Sequence, residues 1–244
     1  MKFKIPFTVA KIETLREKSK YFLKYVKPKK ESLIGKYLVN SEVPLTREEY
    51  LAICIKKLVF NLIFGIIIFI LLLFFLKVEL FYIYGPLVAL LFSSFVFLTE
   101  LNYPKLHDSR RQRNIERNLI PALQDMIVQL NAGVPLYNIM VNISSSDYQE
   151  LSVEFKKAVN KINAGLPQLD VLEDLGEKNS SIFFRRTIWQ LSNGMRAGSD
   201  ISIVIKESIK TLSEEQLIQI QSYGSKLNPL IMFYMVISVI MPAL

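Results

Sequence analysis

Few side chains in this sequence could do chemistry, and none of them is in convincing company. His107, the only histidine, could act as a base or a metal ligand, but it stands in a short polar stretch beside an apolar block. The surface is its expected place. Cys54, the only cysteine, lies in an apolar run and reads as a small packing residue. Alone it closes no intramolecular disulfide, which suits a mainly cytoplasmic protein. Glu173-Asp174 and Glu214-Glu215 are sequence neighbours, so on a helix the members of each pair diverge instead of sharing a proton. No glycine-rich loop ends in Gly-Lys-Ser/Thr, the pattern that cradles a nucleotide phosphate. The expectation is a chain that is not an enzyme and has no catalytic, cofactor-binding or metal-binding residues.

Contact chemistry is better represented. Arg185 and Arg186 interrupt an apolar segment and Trp189 follows one turn later. Arginine and tryptophan are frequent anchors of protein interfaces, although ordinary alternation of core and solvent faces gives the same pattern. Arg110, Arg111 and Arg113 could meet lipid headgroups or an acidic partner, or simply be a solvated anchor. Asn193-Gly194-Met195-Arg196-Ala197-Gly198 places two glycines near a helix end. That permits close approach of another helix, or no more than a C-cap with tight packing.

These residues sit in a repeat. Leu130-Asn131-Ala132-Gly133, Ile162-Asn163-Ala164-Gly165 and Met195-Arg196-Ala197-Gly198 are near-copies, with the glycines 32 and 33 positions apart. Each phrase closes one amphipathic run and opens the next, as a thrice-repeated αα-hairpin does. Glycine tolerates the positive φ of a helix C-terminus. Pro135 and Pro167 suit the first helical position, and Ser199 or Asp200 can cap the third copy. Gly133, Pro135, Gly165, Pro167, Gly198 and Asp200 are therefore the expected hairpin turns. The spacing predicts six helices. The first carries Leu119, Leu123, Met126, Ile127 and Leu130 as a stripe, and the next four run over about Pro135–Ile143, Tyr148–Asn163, Pro167–Leu175 and Ser181–Arg196. The sixth starts at Asp200 and, with no strong breaker before Gly224, is expected to continue as a long stalk toward the third apolar run. Asp147 with Glu150 offers caps for the third, and Gly176 would close the fourth.

Apolar runs flank this region. Leu58–Leu76 has 19 residues with Asn61 as its one strongly polar member, and Leu80–Thr99 and Leu227–Leu244 carry no charge. At the helical rise the first spans about 28 Å, close to the ~30 Å of a bilayer core. Only Lys77-Val78-Glu79 separates the first two, which read as a membrane hairpin. Pro229 and Pro242 interrupt the third. No Asp, Glu, Lys, Arg or His lies within these runs, which argues against an ion or proton transporter.

The fold class expected is an all-α membrane protein: a cytoplasmic six-helix bundle of three αα-hairpins flanked by transmembrane helices. Its parts are a basic cytoplasmic region (1–57), a transmembrane hairpin (58–99), a juxtamembrane linker (100–118), the helical domain (119–226) and a third transmembrane segment (227–244). Pro86 can kink the second span, and Pro104 marks an expected break beyond it. Thr46-Arg47-Glu48-Glu49 has capping-box spacing after a break at Ser41-Glu42-Val43-Pro44.

Residues 1–57 hold 14 Lys/Arg against 6 Asp/Glu, the whole net charge of +8, whereas residues 100–226 are neutral. Lys56 and Lys57 before the hairpin and Arg110, Arg111 and Arg113 after it place both flanks inside. Ile12, Leu15, Phe22 and Val26 share a helical face among Lys11, Arg16, Lys18 and Lys20, suited to anionic membrane lipid or to the protein's own surface. No recognition motif accompanies the charge, so nucleic acid is not an expected partner.

With Leu119-Ile120-Pro121-Ala122-Leu123, Asn131-Ala132-Gly133-Val134-Pro135-Leu136 and Gly194-Met195-Arg196-Ala197-Gly198-Ser199-Asp200-Ile201, the chain resembles the type II secretion F-domain family. These are the platform proteins of type II secretion systems, type IV and Tad pili, and archaella. A single such domain after a hairpin is similar in layout to Tad-type and archaeal members. The resemblance implies a non-enzymatic role in the cell membrane, with a hexameric secretion ATPase and prepilin-like subunits as partners. A homodimer would suit the symmetry of a platform under a filament. The chain reaches Leu244 within its third apolar run, where such relatives continue to a further span, so a truncated chain and a short member are both open. The rival reading is a membrane-anchored helical-repeat adaptor with a tetratricopeptide-like period, yet Trp189 is the only tryptophan where each such repeat would need one.

Overall fold

The computed structural model describes residues 3, 5, 6, 8, 12–26, 32–40, 43–77 and 80–240. Lys11, Ser41-Glu42 of the expected break, Val78-Glu79 of the hairpin turn and the last four residues with Pro242 lie outside them. Every regular element among the described residues is helical. Helices α1 (Ile12–Ser19), α2 (Leu33–Asn40), α3 (Arg47–Phe75) and α4 (Phe81–Asn131) come first. They are followed by α5 (Leu136–Ser145), α6 (Glu150–Asn163), α7 (Gln168–Glu177), α8 (Ile182–Arg196) and α9 (Ile201–Met235). A 3₁₀ segment, Lys20–Tyr25, extends α1, and a π-helical turn, Val236–Ile240, extends α9. The chain divides into two compact units, Met1–Gln112 and Arg113–Leu244.

In the first unit the capping box forms as its spacing predicts. The Thr46 hydroxyl accepts from Glu49 N, and Glu49 Oε2 accepts from Thr46 N at 3.0 Å. From there α3 runs without interruption into the apolar sequence. Two helices, Arg47–Phe75 and Tyr82–Asn131, are long and apolar enough to cross a membrane. Their large apolar side chains, among them Phe60, Phe75, Leu91 and Phe95, face outward, an arrangement that water penalises and lipid does not. Where the two helices meet, the residues are small. An added Cβ on Gly65 would touch Ala89 Cβ at 3.4 Å, and one on Gly85 would lie 2.7 Å from Ile70 Cγ1. Ser93 Oγ donates to Leu58 O at 3.1 Å. Close backbone approach of this kind holds membrane helices together in the absence of a hydrophobic drive.

The expected break at Pro104 is absent, because α4 passes through Pro86, Pro104 and Pro121 as one helix of 51 residues. A proline removes one backbone donor and favours a kink, but it does not stop a helix whose neighbouring turns are held by burial. Here Glu100, Pro104, His107, Asp108 and Arg111 supply that burial.

In the second unit, the end of α4 and the helices α5–α9 share one core. It is built on Leu119, Met126, Ile139, Ile143, Leu151, Phe155, Leu172, Phe184, Ile188 and Ile205, all 2% exposed or less. Phe155 and Phe184 meet edge to face at 6.1 Å. Gly133, Gly165 and Gly198 have φ of +79°, +94° and +66°. Each ends its helix with the same pair of bonds: Val134 N, Leu166 N and Ser199 N donate back five residues, and the glycine N–H donates back three. This is a helix terminus that satisfies two orphan carbonyls with a left-handed residue. Pro135 and Pro167 stand at the N-cap, one position earlier than expected. Among α5–α9 the most extensive pairings are α5 with α6 and α7 with α8, joined by Ser146–Gln149 and Lys178–Ser181, not by the glycine phrases.

Three expectations shift. Helix α6 is not capped by Asp147 and Glu150. Instead Asn114 of α4 accepts from Glu150 N at 3.0 Å, and Ser152 Oγ accepts from Tyr148 N at 3.1 Å. Gly176 lies inside α7 and packs against α8, where an added Cβ would come within 3.3 Å of Ile188 Cγ2. The stalk is longer than the breakers suggested, since α9 runs through Gly224 and Pro229, and every described side chain between Gln216 and Ser238 is exposed.

Candidate functional site

The residues with contact chemistry gather on the outer face of α8. The helix starts where Ser181 Oγ accepts from Phe184 N at 3.2 Å while donating to Glu116 Oε1 of α4 at 2.9 Å. Asn179 Oδ1 accepts from Ser181 N at 2.9 Å and fixes the turn. This start sets the rotation of the helix, so Phe184, Ile188 and Leu191 point into the core. Ile182, Arg185, Arg186 and Trp189 point away from it. Because Gly176 lets α7 come close to α8, a groove of about 480 Å³ lies between the two helices. It is lined by Glu173, Gly176, Glu177, Arg185, Trp189 and Arg196 among others.

Three guanidinium groups border the groove and each is held differently. Arg185 Nη2 donates to the backbone oxygen of Asn179 at 2.9 Å. Arg186 pairs with Glu215 of α9, and Arg196 pairs with Glu173 of α7. Arg185 therefore holds a neutral acceptor where the other two hold carboxylates. Trp189 is 64% exposed and Ile182 60% exposed, in a helix whose other large side chains are mostly turned inward. On the far side of α7, Asp174 binds Lys161 and Lys178. Those bonds, with Lys161 first, hold its carboxyl below the usual carboxylate range. Glu173 and Asp174 thus diverge, as neighbours on a helix must.

The other expected contact residues do not form one patch. Arg110 and Arg113 are exposed but Arg111 is 7% exposed, which corrects its reading as a solvated anchor. At 100° per residue, positions 110, 111 and 113 of one helix cannot share a face. His107, expected at the surface, is buried too. Its ring stands edge-on to Phe3 at 5.1 Å, and neither ring nitrogen has a hydrogen-bond partner among the described residues. Asp200 caps α9 through Ser202 N at 2.8 Å. Among the described residues no three His, Cys, Asp or Glu side chains are grouped to hold a metal ion.

One polar cluster has no counterpart in the sequence reading. Lys57 Nζ donates to Glu100 Oε1 and to Pro6 O, both at 2.6 Å, and Tyr50 OH donates to the Glu100 backbone oxygen at 2.6 Å. A signal was present: Lys57 directly precedes the first apolar run and Glu100 directly follows the second. A hairpin brings both to the same end of the helix pair.

Residues 122–244, half of the chain, match the family described as type II secretion system (T2SS), protein F. The chain belongs to this family. The match covers the end of α4, all of α5–α9 and the groove residues. No curated protein and no solved structure matches the chain. As a member of the family carrying two apolar helices of membrane-spanning length, it is a membrane protein of secretion- and pilus-type machinery.

Proposed function

We propose that this protein is the integral membrane platform of a type IV pilus-like, type II secretion-like or archaellum assembly machine. It couples a cytoplasmic secretion ATPase to the assembly of pilin-like subunits. In this reading residues 119–226 work as a cytoplasmic six-helix bundle, the hairpin 58–99 and the segment 227–244 lie in the cell membrane, and the layout is that of Tad-type or archaeal members. The observation that supports it most is the family match on helices continuous with an apolar span, since α4 carries both membrane-length sequence and core residues of the matched region. Orientation rests on Lys56, Lys57, Arg110 and Arg113 flanking the hairpin.

The test is a tagged full chain solubilised in mild detergent, purified and analysed by mass spectrometry. A hexameric ATPase together with prepilin-like proteins is the expected recovery. A strain lacking the protein that still makes normal filaments and secretes normally would overturn the reading. Soluble signalling or chaperone partners alone would favour the membrane-anchored adaptor instead.

A further inference from the structure

We infer that residues 3–6 form a strap that lies closed over α3 and α4 while His107 is neutral and lets go when His107 takes up a proton. The device lies within the first compact unit and does not depend on the platform reading.

A ring, an aliphatic side chain and a backbone oxygen hold the strap. Phe3 stands edge-on to Tyr50 of α3 at 6.3 Å and to Tyr103 and His107 of α4 at 5.4 and 5.1 Å. Ile5, 3% exposed, belongs to the apolar cluster of Leu38, Tyr50, Ile53 and Cys54. Pro6 O accepts from Lys57 Nζ at 2.6 Å. A segment held by so little can open locally while the helices beneath it stay folded. The imidazole under Phe3 makes that opening depend on pH. Both of its nitrogens are buried, and neither has a hydrogen-bond partner among the described residues. A neutral ring survives there at the cost of a buried polar group. An imidazolium would bring a charge and two N–H donors with no acceptor placed to meet them. Its neighbours do not offset that cost. Lys57 and the Tyr50 hydroxyl are both committed to Glu100. Burial first, then the amino-terminal charge, Arg111 and Arg110, hold His107 below the usual histidine value, against the pull of Asp108. A histidine lowered in the closed form takes its proton more readily once released. The closed form is therefore fully held above about pH 6.5 and loses ground as pH falls toward the lower docked value. Glu100 works the other way. Burial raises its carboxyl, so its protonation favours the closed form, and the trigger is the histidine.

The chain has one histidine and one cysteine, and both report on the strap. Cys54 is fully buried in the cluster that Ile5 completes, so a thiol reagent reaches it when the strap is open. The full chain in phosphatidylcholine nanodiscs is treated with a pyridyl disulfide at pH values on both sides of about 6.5. Its labelling rate, divided into that of the urea-unfolded chain at the same pH, gives the protection of Cys54. Protection should fall roughly tenfold per pH unit between about 6.5 and the lower docked value. His107→Gln keeps a neutral polar side chain and should give protection that does not change with pH. Phe3→Ala should lower protection at neutral pH. Because linkage is reciprocal, it should also move the His107 titration, followed by NMR of the histidine-labelled chain, up toward about 6.5. Far-UV circular dichroism should stay constant throughout. Flat protection in the unmodified chain, an equal fall in His107→Gln, or a His107 titration that Phe3→Ala leaves in place overturns the inference. So does a fall in protection that appears only together with loss of helical signal, since that is unfolding of the unit and not release of a strap.

Discussion

Helices α6 and α8 are two copies of one element: they bury corresponding core positions, and outside they carry side chains of different chemistry. Aligned on Gly165 and Gly198, they are offset by 33 positions. Their inner residues correspond pair by pair: Leu151 with Phe184, Phe155 with Ile188, Ala158 with Leu191, Val159 with Ser192, all buried. The large ring has changed turn, from the second position in α6 to the first in α8, and the two rings then meet edge to face. Outside, α6 has Val153, Lys156, Asn160 and Asn163 where α8 has Arg186, Trp189, Asn193 and Arg196. Packing constrains the inner set, because a close-packed interior registers a change of one methylene. Nothing in the fold requires a tryptophan in place of a lysine at an exposed position. The difference between the copies is therefore the place to test whether α8 has a role that α6 lacks.

The shared frame predicts the largest effects, and they should be equal in kind. Phe184→Ala should cost about 3–5 kcal/mol and Leu151→Ala about 2–5 kcal/mol, since each is fully buried. Denaturant unfolding of the full chain in detergent, followed by far-UV circular dichroism, measures both. If only one of the two destabilises, the copies do not share a core position and the alignment is wrong.

The turns come next. Gly165→Ala and Gly198→Ala should each cost about 1–2 kcal/mol, the penalty for a Cβ in the left-handed region. In both places an added Cβ would meet nothing within 4 Å, so strain in the backbone is the whole effect. Two unequal costs in the same unfolding assay would show that the identical bonding at the two turns does not mean identical strain.

A smaller effect separates the copies by pH. Asp174 accepts from Lys161 at the end of α6, whereas the matching position in α8 is Gly194. The Asp174 pKa is lowered in the folded state, so its stabilisation is full above the unfolded carboxylate value of about 3.9 and disappears as pH falls through the lower folded value. With the pair partly exposed, less than about 1 kcal/mol is at stake. Asp174→Asn should lower stability at neutral pH and flatten the profile below about pH 4. An unchanged profile would show that the link between α6 and α7 is not electrostatic.

Much of this frame could be read from the sequence because it depends on local rules. Glycine at positive φ, the Thr46 capping box and the helical stripe of Leu119, Leu123 and Met126 each follow from a few neighbouring residues. What escaped depends on contacts between distant ones. Asn114 and Glu116 look like ordinary polar residues in α4, and only the fold shows them capping or bracing the starts of α6 and α8. Gly176 looked like a terminator because glycine often is one, yet it is kept inside α7 by the approach of Ile188. Burial of His107 and Arg111 could not be read from a stretch whose expected break never occurs. The outer face of α8 was only half legible. Arg185, Arg186 and Trp189 were visible, but the groove that gathers them needs α7, and Arg196 joins them from three turns away.

The smallest effect on stability is the one that decides the comparison. Trp189→Ala and Lys156→Ala remove matched, exposed side chains, and each should change unfolding stability by less than about 0.5 kcal/mol. Their consequences for function should nevertheless differ. If α8 carries a docking face, Trp189→Ala should reduce filament assembly or secretion severely, and Lys156→Ala should leave it at the level of the unmodified protein. Protein abundance in the membrane, read by immunoblot, keeps a folding defect from imitating the result. Equal loss from both variants would mean that the outer faces act together as one surface, and equal tolerance would mean that Trp189 is exposed without purpose. Only an unequal result lets the divergence between two copies of one helix be read as a division between frame and contact.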